Sequence, residues 1–381
     1  MAIQISSGGV SKTYRYYPRD AFYVDASGNV NTSGQGQQVR EAYFNGVKYY
    51  PEAAPTFKYI GKYVDTPRVY TGGYLNPKDT YYPNVTRCVY SEDSLSAQNM
   101  QYMGSHEDGS LLPKELDLPI CTRIDSDVFM LNALESIDIP LCTYIGEYAF
   151  RGCTSLKSVN APIVPLIYGY AFMNCTSLKS VNIPQCVELK ELVFRGCSAL
   201  ESIDIPLCAT IGARALSGTG LKSISLPVCE YVNGFDSCLS LESADLPSCT
   251  TIGTDAFNGC TALTNIDAPY VNLLRDGAFS GCTALTSVNF PICYEIQSYA
   301  LAYCPALTDV HVEGAAIVGK GAFRGDKNLS NIYLPCCTGI DEYTFWECTN
   351  LASLTIPHGC GVDRYAFNQW GTRPGITINY I

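Results

Sequence analysis

The sequence predicts a mixed α/β repeat: a solenoid with a parallel β-sheet face, preceded by a small β-rich domain. Three observations carry this. First, a phrase recurs along the chain, cleanest from Ile145 through Ala149, Phe150, Cys153, Leu156 and Val159 to Pro162. Second, its phenylalanines Phe129, Phe150, Phe172 and Phe194 lie 21 or 22 residues apart, and a fixed period in the twenties marks a solenoid. Third, residues 1–110 lack that period and are rich in Tyr, Gly, Asn and Pro.

The order of elements follows. Short strands are expected near Tyr14–Pro18 and Ala21–Val24. Asn45–Gly46 between two apolar runs predicts a hairpin, because a two-residue primed turn needs positive φ. Residues 1–84 read as an attachment module and 85–110 as a connector, with a short helix at Ser94–Met100. Residues 111–381 read as about 11–12 solenoid turns. Within each turn the Leu-x-x-Val-x-Ile-Pro stretch alternates with period two, so it is a strand with one buried face. Proline, lacking an N–H, closes it. The Ile-x-x-x-Ala-Phe stretch has helical spacing and is expected to be a short helix or 3₁₀ turn. Gly152, Gly196, Gly259, Gly281 and Gly325 are expected to supply positive φ. Repeats over 209–249 are shortened, and Glu313 stands where other turns carry proline.

The chain has 381 residues, 47% hydrophobic and 16% charged, the composition of a chain that folds. It has no run of 18 apolar residues, so no membrane insertion is expected. Its first residues lack the basic start and apolar core of a secretory signal, which predicts a processed chain, one kept in the cytosol, or one released by lysis. Net charge is −11; residues 1–110 hold ten basic and ten acidic residues, so the imbalance lies in the repeats. An acidic solenoid repels phosphate backbones, and nucleic acid is not an expected partner.

Nineteen cysteines suggest disulfides or metal, but they fall into repeat columns. One column holds Cys153, Cys175, Cys197, Cys238, Cys260, Cys282, Cys304 and Cys348, with Asn132 and Asp326 as substitutes. The other holds Cys121, Cys142, Cys186, Cys208, Cys229, Cys249, Cys293 and Cys337, with Cys360 displaced by one residue and Val164, Val271 and Ala315 as substitutes. Asn and Asp replacing Cys imply a side chain that bonds turn backbone. Val and Ala replacing Cys imply a small apolar slot. Neither column has zinc spacing, so structural free thiols are expected, with no metal and no cofactor.

Two columns face outward from the predicted strands. The first includes Asp204, Asp245, Asp267, Asn289, His311 and Tyr333; the second includes Asp309 and Asn331. These eight are the candidate ligand-binding residues, because amides, hydroxyls and carboxylates on a flat ladder suit sugar hydroxyls or a polar protein face. Against this, any wet strand face needs small polar residues. Asp245 and Asp267, one rung apart, are the pair placed to share a cation. His311 and Tyr333 break the monotony and are the preferred contact centres. Arg324–Gly325–Asp326 reads as an integrin-type tripeptide, but Gly325 and Asp326 sit in ordinary turn and ladder columns, so a structural role is expected. The sequons at Asn31, Asn84, Asn174 and Asn328 are equally unspecific. His106, His311 and His358 stand beside no nucleophile motif, and no phosphate or dinucleotide fingerprint appears. A carboxylate pair for glycoside hydrolysis is offered by any regular Asp column, yet an active site should break the repeat. No catalytic residue and no enzyme is expected.

Over residues 112–381 these positions resemble the BspA-type, or Treponema pallidum-type, leucine-rich repeats, whose signature is IG-x-x-AF-x-x-C-x-x-L-x-x-I-x-IP. The resemblance implies a leucine-rich-repeat solenoid, found in surface proteins of gut and oral microbes that are adhesins or recognition proteins. Residues 40–51 look like short β-modules in bacteriophage tail and fibre proteins. Together these resemblances imply a non-enzymatic recognition protein. Its solenoid binds a cell-surface glycan or protein, and its N-terminal module joins other virion components or a homo-oligomer. A phage virion is the first expectation for its location; a microbial cell-surface adhesin and an internal scaffold without external ligand are the alternatives.

Overall fold

The computed structural model describes residues 115–118, 121–367 and 375–381, and before them only the backbone of short strands. The chain forms two compact units, Met1–Val164 and Pro165–Ile381, each described by itself.

In the first unit, Ala2–Ser7 pairs antiparallel with Val10–Arg15 and with Glu41–Phe44. Glu41–Phe44 pairs in turn with Val47–Lys48 in the register Phe44↔Val47, which leaves Asn45 and Gly46 as the predicted two-residue loop. Tyr23–Val24 pairs with Val30–Asn31. Arg87–Val89 lies parallel to Glu115–Asp117, and Ser94–Leu95 to Arg123–Ile124. Two strands of coil character therefore fall in the segment read as connector. The helix expected at Ser94–Met100 begins instead as a strand, and its remainder lies outside the described residues. The coil continues with Ser136–Asp138, parallel to Ser158–Asn160, and with Tyr144–Ile145 on a second side.

The second unit repeats this coil. One side is a strand of about three residues, such as Ser243–Asp245 or Asn331–Tyr333. The next is a two-residue strand, stacked without a break from Leu166–Ile167 through Glu295–Ile296 to Gly361–Val362. Among the described residues the strands in both stacks pair in parallel, as the spacing predicts.

The third side corrects the mixed α/β expectation. There is no helix among the described residues. The Ile of the Ile-Gly phrase is a strand residue, and the stretch after it is a chain of tight turns. Ala149 N–H bonds Gly146 C=O, Arg151 bonds Tyr148, and Cys153 bonds Phe150. Positive φ at Tyr148 (56°) and Gly152 (71°) interrupts any right-handed helix. The remaining donors reach the next coil: Asp127, Phe129 and Leu131 N–H bond the carbonyls of Glu147, Ala149 and Arg151. Ile145, Ala149, Phe150 and Cys153 are all fully buried, so a 4-1-3 spacing of inward residues arises here from the coil and mimics a helix face.

The core is a stack of side chains, each covered by the coils beside it. Phe129 lies 5.0 Å from Phe150 in the first unit. In the second, Phe172–Phe194, Phe235–Phe257 and Phe257–Phe279 stack at 5.2–5.3 Å with nearly parallel rings, an arrangement that adds to the large area each ring buries. Gly152, Gly196, Gly259, Gly281 and Gly325 all have positive φ, as expected. The shortened repeats close on Gly234, where an added Cβ would stand 2.5 Å from Ile211 Cγ2 and 3.0 Å from Gly212 O.

Candidate functional site

The two cysteine columns resolve into two local chemistries. In the first, the thiol donates to a carbonyl of the preceding coil: Cys153 to Phe129, Cys197 to Phe172, Cys282 to Phe257 and Cys348 to Phe323, at 2.9–3.1 Å. The substitutes bond turn backbone as expected. Asn132 Oδ1 accepts from Leu134 N–H, and Asp326 Oδ1 from Cys304 N–H at 2.8 Å. A third substitute was missed in the sequence although it stands at the regular period, 22 residues after Cys197: Thr219, buried, donates its hydroxyl to Leu216 O. In the second column the thiol donates two residues ahead, as Cys142 does to Tyr144 and Cys208 to Thr210. These thiols are free and, Cys336 and Cys360 apart, all the described ones are buried. Burial pushes Cys142 up to about 11 and Cys186 to about 12. These two are held as thiols, which makes them structural rather than nucleophilic.

Asp326 is fully buried, so the Arg324–Gly325–Asp326 tripeptide presents no carboxylate to a receptor. Its Oδ2 has no hydrogen-bond partner, and desolvation raises its pKa well above the ordinary carboxylate range.

The eight candidate residues are all exposed, seven of them on the outer face of the three-residue strands. The ladder is not continuous. Asp245 and Asp267 stand directly opposite each other in the short sheet that runs from Ser223–Ser225 to Asn265–Asp267. Asn289, Asp309 and His311 share a two-stranded sheet, with Asn289 opposite His311. Asn331 and Tyr333 belong to a third, opposite Ser353 and Thr355. Asp204 is joined only by a bridge to Asn182. Ser225 Oγ donates to Asp245 at 2.7 Å, and Ser353 Oγ to Asn331 at 2.6 Å. No group of three or more metal-ligating side chains forms among the described residues. His311 lies between two carboxylates, Nδ1 3.1 Å from Glu313 and Nε2 3.2 Å from Asp309. The hydrogen bond its ring donates to Glu313, then the Asp309 charge, raise its pKa. Tyr333, 49% exposed, stands on the coil after it. The structure thus places an imidazole between two carboxylates and an exposed phenol on neighbouring coils of one face.

Sequence reasoning did not see a second cluster, on the turn side of the coils from Tyr299 to Glu347. Tyr299, Tyr303, Tyr343 and Glu347 all have positive φ there. The Arg324 guanidinium lies 5.6 Å from the Tyr303 ring centre and 5.3 Å from that of Trp346. Tyr343 meets Trp346 edge-on at 4.8 Å.

Coils stacked through parallel strands, with a Leu and Ile core and a polar outer face, define a leucine-rich-repeat scaffold. A model of the BspA type leucine rich repeat region matches residues 122–232, 231–352 and 270–373, and the chain belongs to that family. Similar solved structures include a leucine-rich repeat protein from Bacteroides ovatus, at 20% identity over 65% of this chain and 88% of that one, TM-score 0.28. The pneumococcal vaccine antigen PcpA is similar at 12% identity over 89% of this chain and 93% of its own, TM-score 0.47. A Treponema pallidum leucine rich repeat protein is similar at 19% identity over 62% and 78%, TM-score 0.25. No curated protein matches the chain.

Proposed function

We propose that the protein is a non-enzymatic adhesion protein of a microbial cell surface, whose solenoid binds a surface glycan or protein of another cell. Membership in the BspA-type family, one of binding scaffolds, supports this. The observation that carries it is the exposed strand face on which Asp309, His311, Asn331 and Tyr333 stand on neighbouring coils. Its groups offer donors, acceptors and one aromatic ring, and no nucleophile with an adjacent base. Residues 1–84 serve as the attachment module and 85–110 as its connector to the solenoid. The virion reading is not carried forward: its residues, 40–51, lie outside the family match, and only strand backbone is described there. No helix among the described residues is long and apolar enough to cross a membrane.

The test is binding of the labelled full chain to cultured epithelial and bacterial cells. Saturable binding that falls at least tenfold in an Asp309→Ala/His311→Ala/Tyr333→Ala variant of unchanged thermal midpoint supports the assignment. Saturable binding that the triple variant retains in full rejects the face.

A further inference from the structure

We infer that Tyr303, Arg324 and Trp346 form a stacking site for a neutral pyranose ring, on the turn side of the coil and separate from the strand face. The fold does not require aromatic residues there. Two coils earlier the same columns carry Asp255, Asn258 and Gly259, then Gly277, Ser280 and Gly281, and those coils keep the same inter-coil hydrogen bonds, with Phe257 N–H on Ala278 O and Gly259 N–H on Ser280 O. Tyr148, Tyr170 and Arg151 already occupy the columns of Tyr299, Tyr343 and Arg324, with Arg151 5.5 Å from the Tyr148 ring centre, so the local departure is Tyr303 and Trp346, which put rings into columns that carry none in the other repeats.

The departure is built with care. Tyr299 and Tyr303 sit at φ of 57° and 59°, where bulky residues are uncommon. Their rings lie against the glycines of the next coil: a Cβ on Gly321 would stand 2.6 Å from the Tyr299 ring, and one on Gly325 2.9 Å from the Tyr303 ring. The two glycines thus let the rings lie close to the backbone. Tyr303 remains 41% exposed. Arg324, on the glycine coil, extends between Tyr303 and Trp346, within the range of cation–π attraction for both.

The polar groups fit a neutral ligand. Lys320 pairs with Glu342 at 2.7 Å, and Arg324 faces Glu347 at 3.6 Å, so the patch carries two cations and two carboxylates. The second separation is longer than a hydrogen bond, leaving the guanidinium and the carboxylate with capacity for ligand hydroxyls. Arg324 Nε is buried without a partner, so the planar outer nitrogens are the end of the fork that meets solvent. A sugar ring supplies the matching chemistry: a C–H face for the tyrosine and indole rings, and vicinal hydroxyls for the fork. A phosphate or nucleic acid does not fit a patch without net positive charge in an acidic solenoid.

Saturation-transfer NMR on the full chain, with lactose, N-acetyllactosamine, methyl α-mannoside and 3′-sialyllactose as probes, tests this. The expected result is transfer to ring C–H protons of at least one neutral sugar. Tyr303→Leu is expected to weaken it at least tenfold at unchanged thermal midpoint, while Tyr303→Phe and His311→Ala preserve it. Absence of transfer from every neutral probe overturns the site, as does transfer only to the sialylated one. Transfer that Tyr303→Leu leaves intact, or that His311→Ala abolishes, overturns it too.

Discussion

Asp326→Asn should make the protein more stable, by an amount that grows with pH. In the cysteine column the thiol of Cys304 donates to Phe279 O and that of Cys348 to Phe323 O. Asp326 stands in the same column. Its Oδ1 accepts from Cys304 N–H, but Oδ2 is buried and unpartnered, a deficit of about 1–3 kcal/mol for a buried polar atom. An asparagine keeps the acceptor and supplies the donor. The pH dependence follows from burial. Desolvation raises the Asp326 pKa in the folded chain well above its ordinary 3.8, so the folded state holds a proton that the unfolded state releases. Stability is therefore greatest below the ordinary value and falls as pH rises toward the raised one. The slope in that window is about 1.4 kcal/mol per pH unit. The groups facing Asp326 from adjacent coils, Cys304 and Cys348, are themselves held as thiols by burial and do not offset this. Urea denaturation of both proteins across pH 4 to 8 reads the gap. A gap that widens with pH is expected. Parallel profiles, or a less stable variant at pH 8, would refute the assignment of a neutral buried acid.

Other substitutions test the columns and the turns. Gly234→Ala should lower stability by about 1–3 kcal/mol in a denaturant titration, because its Cβ would overlap Ile211 and crowd Gly212 O. Cys197→Asn should be tolerated, since an amide can donate to Phe172 O as the thiol does. Cys208→Val should change stability by less than about 1 kcal/mol, the loss of one weak bond to Thr210 O; equilibrium unfolding checks both. With a thiol reagent on the native protein, Cys336 should react first among the described cysteines, as the exposed member. Cys336→Ser should remove that phase, and the buried thiols should appear only on denaturation.

Much of the fold was legible because a solenoid writes each structural need into the sequence many times. The columns at Cys197 and Cys208 could be read for chemistry through their substitutes, and the hairpin at Asn45–Gly46 through its turn residues. What failed did so for identifiable reasons. The turn stretch at Ile145–Gly152 looked helical because its inward residues have helical spacing. Positive φ at Tyr148 leaves no mark on residue type, as tyrosine is not a residue chosen for that region. Thr219 was legible from the period, 22 residues after Cys197, and was overlooked because the column was followed by its Cys, Asn and Asp members alone. The strand face was visible as a column of polar residues, but not its division into short sheets, nor the placement of Glu313 against His311. The aromatic cluster was invisible in the sequence because Tyr303, Arg324 and Trp346 are about twenty residues apart and belong to no single motif.

On the proposed function, a ligand on another cell meets the strand face at Asp309–Tyr333. Hydroxyl-radical footprinting of the full chain, free and bound to cells, tests it most directly, because His311 and Tyr333 are both exposed and readily oxidised. The account predicts that oxidation of His311 and Tyr333 falls on binding while Tyr270, exposed on an earlier coil, is unchanged. Equal oxidation of His311 and Tyr333 in the free and bound states would contradict it.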